Sequence, residues 1–311
     1  MKFVDLCAGI GGLSRPLHLR GHECVLACER DKFARITYHA NYPDVPFAED
    51  ITTLDVTTIP PVDLVLAGFP CQPFSSVGKL LGFEDTRGTI VFDVLRAVKH
   101  LQPSYVLFEN VRGLLTHAKG ETFKVICAAL DQCGYNVQHV VLDARVHVPQ
   151  KRRRVFILGT RKDLTAPSLC GLPEANPIPP RMLAEILHQP SDEDRFHPRN
   201  YALTPKTVQW LYNHQNRKRD EGGLETVNFI TENDLAATLT ARYYKDGKEI
   251  VFLDKKYGER KLTPRECARL MGFDSSFILP PKVSSTQLFK QMGNSVVVPC
   301  SEAILKRIPC F

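Results

Sequence analysis

Short apolar runs alternate with stretches of helical periodicity along the first half of the chain. Apolar runs of four to seven residues are typical of buried strands, whereas apolar positions spaced three and four apart indicate helices. The pattern predicts strands at 2–6, 23–27, 62–67, 105–108 and 137–143, another ending near residue 50 and another after 154, and helices at 13–19, 90–100 and 121–133. This alternation is typical of an α/β fold.

The pattern changes after the first half. Proline and polar residues dominate from about 165 to 190, which predicts a linker, and the following residues to about 258 lack a clean period. We expect a smaller, irregular, β-leaning domain there. A helix is predicted at 262–273, with Thr263 as its cap and Pro264 in its first turn.

The apolar residues of the C-terminal segment complete this picture. A Gly-Asn turn at 293–294 leads into a predicted helix whose apolar residues would dock on the first sheet. The second domain is then an insertion. We expect one domain at 1–170 and 284–311 and the other at 171–283.

Charge and cysteine content narrow the possible functions. The chain has 311 residues and a formal net charge of +6, with basic residues grouped at 151–154 and 217–219, which points to a polyanionic partner. Ten cysteines without a CxxC pair or a signal peptide indicate reduced, intracellular thiols rather than a disulfide framework or a metal site. No apolar run approaches the roughly 18 residues that span a bilayer, so we expect no membrane insertion.

A glycine-rich turn follows the first predicted strand. Cys7–Gly12 reads CAGIGG, and missing side chains in such a turn let the backbone approach a nucleotide, while the next helix offers free N–H donors. Glu29 lies about 20 residues further on, where an acidic residue can bind ribose hydroxyls. Asp50 could accept the exocyclic amine of an adenine. Without a P-loop lysine, a dinucleotide and a nucleoside carrying an amino acid both fit.

The second candidate site is GFPCQPFSS, at Gly68–Ser76. Cys71 lies between two prolines just after a predicted strand. In open α/β sheets ligands bind at the carboxyl ends of the strands, so Cys71 is our candidate nucleophile. The polar, glycine-rich loop Ser75–Thr89 is typical of a lid or binding loop.

Charged residues at two further strand ends would support this nucleophile. Glu109 ends a mostly apolar strand, where burial favours the neutral carboxylic acid and so allows proton donation. Arg152 and Arg154 would share one face of an extended segment, so that two guanidinium groups point into one site.

Taken in order, these segments resemble the DNA (cytosine-5)-methyltransferases over nearly the whole chain, and most of all the small bacterial restriction-modification enzymes. The resemblance implies an α/β, Rossmann-like, S-adenosylmethionine-dependent methyltransferase fold, a mixed sheet with helices on both faces, and a smaller target-recognition domain. Double-stranded DNA is the implied substrate. The motifs that carry it are DLCAGIGG at 5–12, Glu29, Asp50, GFPCQPFS at 68–75, ENV at 109–111, QKRRR at 150–154, RECARLMGF at 265–273 and GNSVVVP at 293–299.

The resemblance also implies roles for individual residues. The catalytic set would be Cys71, Glu109, Arg152 and Arg154. The implied cofactor contacts are Gly9, Ile10, Gly12, Glu29, Asp50, Ile51, Gly68, Pro70, Ile90, Asn294 and Val296. Two positions depart from the family pattern: Cys7 stands where phenylalanine is usual, and Val77 where close relatives have serine.

In this family a cysteine thiolate adds to carbon 6 of a cytosine that has been flipped out of the duplex, which makes carbon 5 nucleophilic. Glu109 would meet ring nitrogen 3 and Arg154 the 2-oxygen. The residues expected to contact DNA are Ser75, Arg87, Thr238, Arg242 and Lys245.

Two other interpretations remain at this stage. A tRNA cytosine methyltransferase would use the same core, although its Cys-Phe-Thr signature is missing here. A catalytically silent DNA-binding relative is the other. We expect a monomer in the bacterial cytoplasm, associated with the nucleoid; whether a cognate restriction endonuclease acts on the same site stays open.

Overall fold

The computed structural model describes residues 1–70, 90–172, 182–220, 227–245, 247–309 and 311. Within them the chain forms two compact units. The first contains Met1–Leu142, Arg153–Glu174 and Val298–Phe311, and the second Asp143–Arg152 and Ala175–Val297. The second unit thus includes two segments, 143–152 and 284–297, that the predicted boundaries place in the first domain.

A seven-stranded mixed sheet forms the centre of the first unit, in the order β3-β2-β1-β4-β5-β7-β6. Strands β1 to β5 pair in parallel, and β7 pairs antiparallel with β5. The strands are β1 Lys2–Leu6, β2 Glu23–Cys28, β3 Phe47–Ala48, β4 Leu64–Ala67, β5 Tyr105–Val111, β6 Tyr135–Asp143 and β7 Arg153–Arg161. The apolar runs of the sequence therefore predicted the sheet correctly.

Five α-helices accompany this sheet among the described residues. They are α1 Arg15–Leu19, α2 Lys32–Asn41, α3 Ile90–Leu101, α4 Glu121–Gln132 and, at the C-terminal end, α8 Val298–Leu305. Short 3-10 turns lie at Val56–Thr58, Arg112–Leu115 and His117–Gly120. The core packs helix residues such as Val94 and Leu95 with strand residues such as Val65 and Phe108, all of them fully buried.

The second unit contains a three-stranded sheet and three α-helices within its described residues. In the order β10-β9-β8, the strands are β8 Phe229–Ile230, β9 Val251–Asp254 and β10 Gly258–Arg260. The helices are α5 Pro205–Asp220, α6 Pro264–Leu270 and α7 Ser285–Asn294, and 3-10 turns lie at Ala144–Val146, Leu183–Ile186, Asp194–Phe196 and Pro198–Tyr201.

The helices of the second unit test two local predictions and include one helix that the sequence did not predict. Thr263 caps α6 as predicted, because its hydroxyl accepts a hydrogen bond from the Glu266 amide at 3.2 Å and Pro264 occupies the first turn. Helix α5 was not predicted, since Leu211 is the one residue of its sixteen that is fully buried and the sequence therefore shows no apolar stripe. Gly293 and Asn294 end α7 instead of forming a separate turn.

Candidate active site

The strand order of the first sheet reverses next to β1. From β1 the chain continues to β2 and β3 on one side, and β4 and β5 lie on the other. In open α/β sheets ligands bind outside the carboxyl ends of the strands at such a reversal. The glycine-rich turn leaves β1 there, and Gly68 leaves β4 in the same place, since Leu6 pairs with Ala67.

The glycine-rich turn uses left-handed backbone at three positions. The φ angles are +57° at Cys7, +57° at Gly9 and +83° at Gly11. A Cβ on Gly11 would lie 2.7 Å from the Tyr42 ring, whereas one on Gly9 would meet nothing within 4 Å. Gly11 is therefore needed for packing, and Gly9 borders open space in which a ligand can approach the backbone.

The residues around this turn have other contacts as well. Helix α1 begins at Arg15, later than predicted, and the Arg15 amide donates to the Gly11 carbonyl at 2.7 Å, so this donor is not free for a ligand. Ile10 is buried, and the carbonyl of Gly12 accepts a hydrogen bond from Ser301 at 3.4 Å. Burial raises the pKa of the Cys7 thiol and keeps it neutral.

Glu29 and Asp50 follow β2 and β3 at the same edge of the sheet. Glu29 Oε2 accepts a hydrogen bond from the Gly9 amide at 2.9 Å, and its Oε1 accepts one from the Asp31 amide at 2.7 Å. Asp50 accepts from the amide and hydroxyl of Thr52, and these bonds lower the pKa of Asp50, so this carboxylate stays ionised. Each carboxylate retains lone pairs for a further donor.

The other predicted cofactor residues of the first unit lie near these strand ends. Ile51 is buried and its carbonyl accepts a hydrogen bond from Arg96 at 2.8 Å, while Ile90 is the half-buried first residue of α3. A Cβ on Gly68 would meet nothing within 4 Å, as at Gly9. Pro70 is exposed.

The strand that leads to Cys71 is tied to the ENV segment. The side-chain amide of Asn110 donates to the carbonyl of Phe69 at 2.9 Å, and both residues are buried. Glu109 is therefore next in sequence to Asn110, whose side chain bonds Phe69, two residues before Cys71. Cys71, Ser75 and Arg87 themselves lie outside the described residues.

Glu109 and Arg154 form an ion pair on the β5–β7 ladder. Glu109 pairs with Phe156 and Val111 with Arg154, so Arg154 is the diagonal neighbour of Glu109 on the same face. Arg154 Nε lies 3.2 Å from Glu109 Oε1, and the side chains are 17% and 11% exposed. Burial lowers the pKa of Arg154 and the charge of Glu109 raises it. A guanidinium group and a carboxyl group thus share one nearly buried position.

Arg152 has different partners in the second unit. Its guanidinium donates to the carbonyls of Leu239, Gly293 and Ser295 at 2.8, 3.0 and 2.8 Å, and the residue is 2% exposed. The sequence predicted that Arg152 and Arg154 point into one site. In the structure Arg152 joins two loops of the second unit, whereas Arg154 pairs with Glu109.

These two loops contain further predicted site residues. A Cβ on Gly293 would lie 2.2 Å from the Thr240 carbonyl carbon, so glycine is required where the end of α7 contacts the backbone at Thr240. Asn294 is exposed, and Val296, two residues later, is buried. The requirement at Gly293 was missed by sequence reasoning, although the GNS motif marks its position.

The predicted DNA-contacting run alternates between buried and exposed side chains. Tyr243 is fully buried, and its hydroxyl donates to the Ile250 carbonyl and accepts from the Leu262 amide, each at 2.8 Å. Its neighbours Arg242 and Lys245 are exposed, whereas the Thr238 hydroxyl donates to the Lys151 carbonyl. Two of the three predicted residues thus face solvent, and the third is bonded to the chain.

A buried carboxyl group lies beneath the glycine-rich turn and was not predicted as a special site. Asp5 is 1% exposed on β1, and burial raises its pKa to about 7. The negative charge of Glu29 adds to the increase, and the Ser14 hydroxyl opposes it. The only sequence signal is an acidic residue inside an otherwise apolar strand.

Candidate metal ligands and free thiols are known for the part of the chain that the structure describes. No group of three or more His, Cys, Asp or Glu side chains there could hold a metal ion. The eight cysteines in these ranges are free thiols. Among the described helices, none is long and apolar enough to cross a membrane.

Comparison with known proteins assigns the chain to a family. The sequence model of the C-5 cytosine-specific DNA methylases matches residues 1–310. Type II methyltransferase M1.ScrFI of Lactococcus lactis subsp. cremoris is 41% identical over 99% of this chain and 77% of its own length. Type II methyltransferase M.NlaX of Neisseria lactamica is 40% identical over 99% of this chain and 96% of its own length.

Solved structures show the same fold at lower identity. A Spodoptera frugiperda DNMT2 mutant superposes with a TM-score of 0.75 at 22% identity, over 98% of both chains. S. pombe Dnmt2 methyltransferase gives a TM-score of 0.74 at 18% identity. The architecture is that of the S-adenosylmethionine-dependent methyltransferases, and with sequence matches over its whole length the chain belongs to the C-5 cytosine-specific DNA methylase family.

Proposed function

We propose that this chain methylates carbon 5 of a cytosine within one short word of double-stranded DNA, with Cys71 as the covalent nucleophile. The family uses S-adenosylmethionine as methyl donor and DNA as substrate. The observation that carries the mechanism is the Glu109–Arg154 pair, which joins β5 to β7. Asn110, next to Glu109 on β5, bonds the segment that leads to Cys71.

The chemistry requires charge stabilisation on the cytosine ring. When the Cys71 thiolate adds to carbon 6, negative charge develops on ring nitrogen 3 and the 2-oxygen, and carbon 5 becomes nucleophilic. Once carbon 5 has been methylated, loss of its proton and release of the Cys71 thiolate from carbon 6 would restore the aromatic ring. Glu109 carries or shares the proton that meets the nitrogen, and Arg154 donates to the oxygen. Their 3.2 Å pairing aligns both groups before substrate binds. Each such group typically contributes about two to four orders of magnitude in rate.

In this proposal Arg152 does not contact the substrate but holds other parts of the chain in position. It donates to three backbone carbonyls in the loops that contain Thr238, Arg242 and Asn294. A buried cation that donates to three carbonyls fixes these segments, because all three hydrogen bonds come from one side chain. We therefore assign Arg152 a positioning role.

The residues of the first unit fit the methyl donor. The open space at Gly9 and Gly68 admits a ligand to the backbone on both sides of the strand reversal, and Glu29 and Asp50 add two carboxylates that suit a cationic nucleoside. S-adenosylmethionine supplies an electrophilic methyl group on its sulfonium. Ile10, Gly12, Ile51, Pro70 and Ile90, with Asn294 and Val296 of the second unit, complete the proposed set.

Access to the base requires that the nucleotide leave the duplex, at a cost of a few kcal/mol. We assign closure over the flipped base to Ser75–Thr89 and contacts to DNA to Ser75, Arg87 and Thr238. The exposed Arg242 and Lys245, held beside the buried Tyr243, read base edges in the major groove.

The direct test is transfer of labelled methyl groups to unmethylated genomic DNA and, in parallel, to total tRNA, followed by sequencing of modified cytosines. We expect label in DNA at one short repeated word. Cys71→Ser should abolish transfer, while Cys170→Ser, which changes an exposed thiol elsewhere, should leave it intact. Label only in tRNA would show that the substrate is tRNA, and full activity of Cys71→Ser would show that Cys71 is not the nucleophile.

The partners and assembly follow from the same function. We propose a monomer, which should give a solution mass near 35.0 kDa. We also propose that it acts in the bacterial cytoplasm at the nucleoid, and that its methylation blocks a cognate endonuclease cutting the same word. Plasmid from cells expressing the protein should resist an endonuclease of that specificity, and plasmid from Cys71→Ser cells should be cut.

A further inference from the structure

Helix α5 presents a line of exposed residues that the proposed chemistry does not use. Lys206, Trp210, Asn213 and Arg217 are all exposed and lie four, three and four residues apart. At 100° per residue this spacing places them on one face of the helix. We call these four residues the α5 stripe.

The composition of α5 is poorly explained by folding alone. Leu211 is its one fully buried residue, packed with Val227 and Val251. No Asp or Glu occurs from 205 to 219, and Lys206 lies in the first turn, where a positive charge opposes the helix dipole and typically costs about 0.3–1 kcal/mol. The charge of Lys206 therefore does not stabilise the helix, whereas Arg217 lies in the last turn, where a positive charge is favourable.

Trp210 lies in the middle of the stripe. It is 46% exposed and stacks on His214, with ring centroids 5.1 Å apart and an interplanar angle of 14°. An exposed indole held by a neighbouring ring is a rigid surface of the kind that binding sites use, because little side-chain entropy remains to be lost. Two cations therefore flank an ordered aromatic ring.

We propose that the α5 stripe binds the sugar-phosphate backbone of duplex DNA outside the methylated word, independently of sequence. Eleven residues of helix place Lys206 and Arg217 about 16 Å apart, which covers about five nucleotide steps along a strand. Two cations and an indole complement a polyanion carrying ribose and base surfaces. DNA is already the family's substrate, whereas an acidic protein partner would need an additional molecule.

Trp210 gives a direct assay because it is the only tryptophan in the chain. The probe is a duplex of A·T pairs about two helical turns long, which contains no cytosine and so cannot be methylated. Binding is followed by Trp210 emission and, in parallel, by anisotropy of the labelled duplex over a range of salt concentrations. Failure of this inference is thus separate from failure of the methylation mechanism.

The decisive variant is Lys206→Ala/Arg217→Ala. Each phosphate contact contributes about 0.9 to the slope of log affinity against log salt, so the double variant should lower this slope by about 2. The loss of affinity should be the same on the A·T duplex and on a cytosine-containing duplex. Alanine favours helix, and Lys206→Gln/Arg217→Gln provides a second pair should the first fail to fold.

Arg219→Ala is the matched control, since it removes the same charge from the same helix about 200° around from Arg217. We expect it to keep the wild-type slope. Three outcomes would overturn the proposal: unchanged Trp210 emission with bound duplex, equal losses in Arg219→Ala and the double variant, or a loss confined to one DNA sequence.

Discussion

Replacement of the buried Asp5 by asparagine should remove the pH dependence that this carboxyl group imposes on stability. The pKa of Asp5 is raised from 3.8 to about 7 in the folded protein, mainly by burial. Between these values the folded state binds more protons than the unfolded state. The free energy of unfolding therefore falls as pH rises through this window, and the contribution of the protonated group is lost above about pH 7.

The size of the effect follows from the shift. About three pKa units, at about 1.4 kcal/mol each, correspond to roughly 4 kcal/mol between pH 4 and pH 8. Asp5→Asn does not titrate. Its stability relative to wild type should therefore rise by up to about 1.4 kcal/mol per pH unit in this window and level off above pH 7.

Urea unfolding followed by circular dichroism, from pH 4 to pH 8.5, measures this difference. Ser14→Ala provides a companion with the opposite effect, because it removes the hydroxyl that lowers the pKa of Asp5. In Ser14→Ala the decline of the free energy of unfolding with pH should therefore extend to higher pH than in the wild type. A difference between Asp5→Asn and wild type that stays constant with pH would refute the reasoning.

Four further substitutions test the site. Glu109→Gln and Arg154→Gln should each slow single-turnover methylation by about 10²- to 10⁴-fold. Because the two side chains act as a pair, the double variant should be about as slow as the worse single one; multiplicative losses would show independent action. Gly293→Ala places a methyl group 2.2 Å from the Thr240 backbone, so it should weaken DNA binding and, because the next residue is Asn294 of the proposed cofactor set, S-adenosylmethionine binding measured by calorimetry as well. Arg152→Met leaves three carbonyls without this donor and should lower the free energy of unfolding by a few kcal/mol, since a hydrogen bond to a charged group typically contributes about 1.5–3 kcal/mol. Arg153→Met, which alters an exposed neighbour, should cause little change.

The sheet and the polar groups at its edge were largely accessible from sequence. Strands buried on both faces form continuous apolar runs, so Val62–Ala67 and Tyr105–Phe108 were predicted as strands. The pairing of Glu109 with Arg154 depends on antiparallel register between segments 45 residues apart, which local pattern does not encode.

Other features were inaccessible for specific physical reasons. The extended pattern put Arg152 and Arg154 on one face, but β7 begins only at Arg153, so the alternation does not extend back to Arg152. Helix α5 has too little apolar surface to show a helical period, and its existence depends on Leu211 packing with the small sheet. Asp5 needs the surrounding core before its burial becomes visible.

The β5–β7 ladder also affects how such an enzyme can diversify. Both members of the Glu109–Arg154 pair come from this one ladder of the first unit, and their separation is set when the sheet forms. Arg242 and Lys245 belong to the second unit, where the buried Tyr243 anchors the run between them. Under the proposed function, replacement of exposed residues in that run would change the target word while the Glu109–Arg154 pair stays constant, which would make specificity modular.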